Sequence, residues 1–124
     1  SSRAVVFANV EIGSNCFILE HNTVQPFVHL GSGVTLWSGN HIGHHSQIGD
    51  YAFISSHVVV SGNCTVGARS FLGVNSTLND GVSIGTRCVI GSGSLIVRDI
   101  ADEGVTTAQP AELSRVPSSR LRGF

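Results

Sequence analysis

An aliphatic residue recurs at every sixth position of this chain without a miss, from Val6, Ile12, Ile18 and Val24 through to Ile84, Ile90 and Ile96. Gly follows it in half of the units, as in Ile42-Gly43, Ile48-Gly49 and Val66-Gly67. Four positions after each aliphatic comes a small or β-branched residue, such as Val28, Ser46, Ala52, Cys64 or Ser76, with Asn22 and Asn40 as departures. A period of six fits neither the 3.6 of a helix nor the 2.0 of an ordinary strand. It suits a short strand and a turn, repeated, with one large and one small side chain inward each time. Three such units make a coil of eighteen residues, and stacked coils pair as parallel strands about 4.8 Å apart. The reading is an all-β parallel solenoid of about five coils over residues 1–100. After Ile100 the period stops, and residues 101–124, with Pro110, Pro117 and several arginines, read as a short irregular C-terminal extension.

Composition narrows the function classes. The 124 residues suffice for one domain. Seven basic side chains against eight acidic ones leave no excess of positive charge for nucleic acid or an anionic membrane. Charged residues are only 12%, against about 25% in an average domain, as expected of a chain that is either tightly self-packed or buries surface against copies of itself. No 18-residue apolar run and no secretory signal pattern occur. The chain lacks an initiator Met and begins inside the repeat, as a piece trimmed from a longer chain would. Cys16, Cys64 and Cys88 fall in the small inward slot. Cys16 and Cys88 share a column four coils apart, roughly 19 Å and too far for a bridge. Reduced thiols fit a cytoplasmic protein.

Three of the six histidines crowd into HIGHHS (41–46). The inward slots are the repeat aliphatic and the fourth residue after it, so His41, His44 and His45 all project outward, as do His21, His29 and His57. Residues eighteen apart stack. Above His44 come Gly62, Asp80 and Arg98, with Pro26 below, so one column offers an imidazole, a bare backbone, a carboxylate and a guanidinium over roughly 14 Å. An extended ligand with a reactive end and an anionic end fits such a column. Gly62 allows close approach to the backbone. Imidazole titrates near neutrality and suits a general base.

The stretches GHHSQIGDYAFISSHVVVSGN (43–63), FLGVNSTL (71–78) and the closing VRDI…QPAE (97–112) resemble hexapeptide-repeat sugar acyltransferases of the sialic-acid O-acetyltransferase-like and bacillosamine-pathway N-acetyltransferase group. The resemblance implies a left-handed coil, against the usual right-handed crossover. It implies a homotrimer with acyl-CoA, most simply acetyl-CoA, lying in clefts between subunits. It also implies acylation of an amino or hydroxyl group of a sugar or nucleotide-linked sugar, leaning toward the amino group. His44 matches the family's general base, Gly62 the glycine whose N–H meets the acetyl group, and Val74, Gly91 and Ser92 the contacts to the pantetheine arm. Arg98, from its place in the His44 column, is the candidate for the anionic end. Two positions depart: the acidic residue that follows the family's catalytic histidine is His45 here, leaving His44 and His45 as the catalytic candidates, and a second histidine lining the acetyl pocket is Phe53. Asp80 or a neighbouring subunit's carboxylate is left to orient His44. The resemblance also implies an N-terminal nucleotide-sugar-binding domain, which residues 1–124 are not expected to contain. The C-terminal Arg115, Arg120 and Arg122 either reach a phosphate or belong to a solvated tail.

Two rival readings follow from the same residues. A γ-class carbonic anhydrase shares this fold and has three zinc-binding histidines. His21 and His57 share a column at the spacing of the first pair, but Gly62 stands at the third position, so the preferred reading needs no metal. A non-catalytic scaffold is the other, and failure to bind acyl-CoA would mark it.

Overall fold

The computed structural model describes residues 1–123. Seventeen two-residue strands wind into three flat faces joined by three corners. The first face stacks six strands from Val5–Val6 to Leu95–Ile96, including His41–Ile42 and Val59–Val60. The second stacks five from Glu11–Ile12 to Ser83–Ile84. The third stacks six from Phe17–Ile18 to Val105–Thr106, including Phe53–Ile54 and Phe71–Leu72. All pairings are parallel, and the register is that of an eighteen-residue coil, as in Val60↔Ile42 and Leu72↔Ile54. This is the β-solenoid the period implies, consistent with a left-handed β-helix.

The coils number about six rather than five. The difference lies at the C-terminal end. Ile84 bridges Ile100, and Val89–Ile90 pairs with Val105–Thr106, each sixteen residues on instead of eighteen. Two residues are missing from the last coil, so the six-residue count fails after Ile96 although the ladder runs to Thr106. Asp99 and Asp102 hold that shortened coil, their Oδ1 atoms accepting from Ser83 N–H at 2.9 Å and Thr86 N–H at 2.8 Å.

Each corner turns in the same way. From Asn9 to Gly93 the third residue after every repeat aliphatic is left-handed, with φ between 53° and 75°. Asn and His tolerate that region better than most L-residues. His21, His45 and His57 are three of these corner residues, which accounts for half of the histidines on backbone grounds.

The core is the column of repeat aliphatics, with Leu30, Leu36, Ile42, Ile54, Leu72 and Leu78 fully buried. Val6 and Ile12 are exposed, having no coil beneath them. The polar residues of the inward slot are satisfied. Asn22 Nδ2 donates to the Leu19 carbonyl at 2.9 Å and its Oδ1 accepts from Asn40 N–H at 3.0 Å, while Asn40 Oδ1 accepts from Val58 N–H at 2.8 Å. An asparagine there caps the next coil's backbone, so the two departures from the small-residue rule form a ladder. Burial pushes the Cys64 thiol up, and all three cysteines are free.

The glycines after the repeat aliphatics let coils touch. A Cβ at Gly67 would lie 2.3 Å from the carbonyl carbon and oxygen of Gly85 and 2.5 Å from Thr86 N. These are backbone atoms of a paired coil and cannot rotate away. Gly67→Ala is therefore expected to destabilise the fold by about 1–3 kcal/mol, read as a lower midpoint in urea or thermal unfolding. An unchanged midpoint would mean that the coils part there at no cost.

Candidate acyl-transfer site

His44 and His45 sit at the first corner, between the first and second faces, where the strand His41–Ile42 ends. Both are exposed. The chain turns at His45 (φ 61°), and the His44 N–H donates to Gln25 Oε1 at 2.9 Å, so the coil below fixes the backbone. His45 stacks on Phe27 of that coil with ring centroids 5.0 Å apart and planes 23° from parallel. The Nδ1 atoms of His44 and His45 are 3.1 Å apart, with the two rings nearly perpendicular. One of the two must carry the shared proton. With that proton on His44 Nδ1, the lone pair of His44 is on Nε2.

Nε2 faces the coil above. A Cβ placed on Gly62 would fall 2.5 Å from His44 Nε2 and 2.8 Å from Cε1, so the imidazole packs against the bare Cα of Gly62. Any side chain there would displace the ring. The Gly62 N–H is not free: it donates to Asp80 Oδ1, one coil further, at 2.9 Å. Asp80 thus contacts Gly62, and within this chain the group that meets His44 Nδ1 is the His45 ring. Arg98 lies just beyond Ile96 in the shortened last coil, where the eighteen-residue register that would stack it on Asp80 is lost, and it is exposed. It lines an open apolar cavity of about 290 Å³ at the C-terminal end, with Leu95, Ile96, Ile100 and Thr106. Another concavity, of about 330 Å³, runs along the second face past His29, Gln47 and Asp50. His44 lines neither.

The remaining candidates are elsewhere. Val74, Gly91 and Ser92 lie at the third corner, following the strands Phe71–Leu72 and Val89–Ile90. The Gly91 N–H is used by the Thr106 carbonyl at 2.9 Å. The amides of Val74 and Ser92 have no acceptor among the described residues. Within one chain the seven candidates therefore form two groups at two corners. Leading to the third corner is a strip that the sequence reading passed over. Phe53 stacks on Phe71 at 5.5 Å and on Trp37 at 6.1 Å, all three substantially exposed on the third face and its edge. Phe17, Phe53 and Phe71 fall at multiples of eighteen, and that column count was the available signal. His21 and His57 are third-corner residues, with the His57 ring over Gly39. Position 62 is at the first corner, so the three positions of the carbonic-anhydrase reading do not share a corner.

The sequence profile described as bacterial transferase hexapeptide (six repeats) matches residues 27–62 and 63–98. Among solved structures, the chain is similar to PerB from Caulobacter crescentus in complex with CoA and GDP-perosamine. That match has 26% identity and a TM-score of 0.82, and covers 83% of this chain and 50% of that one. The acetyltransferase domain of PglB from Neisseria gonorrhoeae FA1090 in complex with acetyl coenzyme A matches at 25% identity and a TM-score of 0.84, covering 89% of this chain and 54% of that one. WeeI from Acinetobacter baumannii AYE, at 20% identity and a TM-score of 0.66 over 90% of this chain and 55% of that one, shares the fold. The chain spans about half the length of these solved structures. No curated protein matches.

Proposed function

The chain belongs to the bacterial transferase hexapeptide family, and from that premise we propose that it is the acyl-transfer part of an acyl-CoA-dependent sugar acyltransferase. Acetyl-CoA is the proposed donor, and the amino group of a nucleotide-linked deoxy-sugar the proposed acceptor. The observation that carries this reading is the His44 imidazole held between His45 and the Cα of Gly62, with Nε2 facing the glycine. The likeness to structures holding CoA with GDP-perosamine and acetyl coenzyme A supports it.

His44 Nε2 takes a proton from the acceptor's amine as the nitrogen attacks the thioester carbonyl. The tetrahedral oxyanion needs an N–H donor, and the amide of Gly62 is the one beside the imidazole. As the C–S bond breaks, the imidazolium returns the proton to the thiolate of CoA. His45, accepting from His44 Nδ1, does for the base what a carboxylate does elsewhere: it fixes the tautomer and the ring plane.

Val74 and Ser92 are at another corner, so a complete site is proposed to need a second copy. The His44 corner of one subunit would face the Phe53–Phe71 strip and the third corner of the next, within a homotrimer. The exposed aromatic strip supports this, since patches of that kind are commonly covered in assemblies. The three free cysteines fit a reducing cytoplasm.

The test is release of CoA thiol from acetyl-CoA across a panel of nucleotide sugars, run beside sedimentation to count subunits. Turnover with an amino-deoxy-sugar nucleotide by a trimer is expected. No binding of acetyl-CoA at all would favour the scaffold reading, and activity that depends on added zinc would favour the metalloenzyme.

A further inference from the structure

Asp80 occupies the one amide that the acyl-transfer reading requires. Its Oδ1 accepts from the Gly62 N–H at 2.9 Å, on the glycine over which the His44 ring is packed. The same type of contact recurs at other corners, where Asp50 accepts from Ser32 N–H at 2.8 Å and Asp102 from Thr86 N–H at 2.8 Å. A carboxylate from the following coil thus satisfies the amide that the ladder leaves unpaired at Ser32, Gly62 and Thr86. At the first corner that device coincides with the proposed reaction centre. A thioester carbonyl is neutral and a weaker acceptor than a carboxylate, whose hydrogen bonds are charge-assisted. The two acceptors compete for a single hydrogen.

We propose that Asp80 is a displaceable stand-in for the acyl carbonyl: it holds the Gly62 N–H in the empty enzyme and must leave when acyl-CoA binds. This rests on the acyl-CoA reading and adds to it a competitor built into the site. Asp80 is exposed, so its carboxylate can turn into water once released. The carboxylate thereby penalises binding of the acylated donor while leaving the contacts to the rest of CoA untouched. Product CoA, which has no acyl carbonyl, releases the amide to Asp80 again.

The distinguishing measurement is calorimetric binding of acetyl-CoA and of free CoA to the full chain and to Asp80→Ala, Asp80→Asn and Asp50→Ala. Asp80→Ala should bind acetyl-CoA about 5–10-fold more tightly than the parent and bind CoA with unchanged Kd, because only the acetylated ligand needs the amide. Asp80→Asn keeps the shape and a neutral acceptor, and should tighten acetyl-CoA binding by a smaller factor; it keeps the test decisive if the alanine variant folds poorly. Asp50→Ala, which removes the equivalent cap at another corner, should change neither Kd. Equal acetyl-CoA affinity in the parent and both Asp80 variants would overturn the proposal. So would equal tightening of acetyl-CoA and CoA, since that is removal of a negative charge near the phosphates and not release of an amide. Either result leaves the acyltransferase reading standing. Failure of every protein to bind either ligand would end both.

Discussion

His44→Ala is expected to lower kcat for acyl transfer by about 10²–10⁴-fold, the span over which a positioned general base acts. KM for acetyl-CoA should move little, because the imidazole is assigned to the proton and not to the donor's pantetheine arm. The side chain is exposed, and its ring meets His45 and the Gly62 Cα. Its loss should therefore leave the unfolding free energy within about 0.5 kcal/mol of the parent, as for an ordinary surface substitution. The measurement is thiol release with matched unfolding curves. Equal turnover by the two proteins would remove His44 from the mechanism whatever the fold. A loss of activity together with a fall in stability would assign His44 to structure.

The largest expected effect on stability is at the centre of the stack. Leu72 is fully buried, on the third face, with Ile54 on one side and Ile90 on the other. Leu72→Ala removes its side chain from a column in which each layer contacts only its neighbours. Large-to-small changes of this kind cost about 2–5 kcal/mol, the upper part of the range where the surroundings cannot collapse. Here the backbone hydrogen bonds of Leu72 and its neighbours hold the coils at strand spacing, as in Gly73 N–H to the Ile90 carbonyl at 2.7 Å, so the cavity should persist. In a solenoid the cost is also felt by cooperativity, since a weakened interface lets the two halves unfold separately. Urea unfolding should show a lower midpoint and a shallower or two-step transition. Leu113→Ala is the matched control: Leu113 is 98% exposed, and its loss should change nothing. A Leu72→Ala protein as stable as the parent would contradict the placement of the core.

How far the sequence carried the fold depends on which signal each element sends. Ile42, Ile54 and Leu72 were legible because a coil repeats the same inward position, and burial there follows from the count alone. The outward direction of His44 followed from the same count, as did its column with Gly62 and Asp80. The last coil was not legible. Two missing residues between Ile96 and Ile100 shift the phase, and a shifted repeat looks like the end of the repeat even though Val105–Thr106 still pairs. His45 was read as a departure from an acidic residue and as a catalytic candidate, and not as a turn. Its φ of 61° makes it the corner residue first, and the third-after-aliphatic column, rich in Asn, Gly and His, carried that information unread.

What the period of six determined by itself is the eighteen-residue coil, the core and the set of residues that share a column, because parallel stacking has one register once the inward positions are known. What only the tertiary structure decided is which polar atoms meet. The pairing of the His44 and His45 rings depends on the stacking of His45 on Phe27 and on the His44 backbone held by Gln25, both from the coil below. Occupation of the Gly62 amide by Asp80 depends on a hydrogen bond across coils. A column states that residues are stacked. It does not state which lone pair faces which hydrogen, and the chemistry of this site is decided at that level.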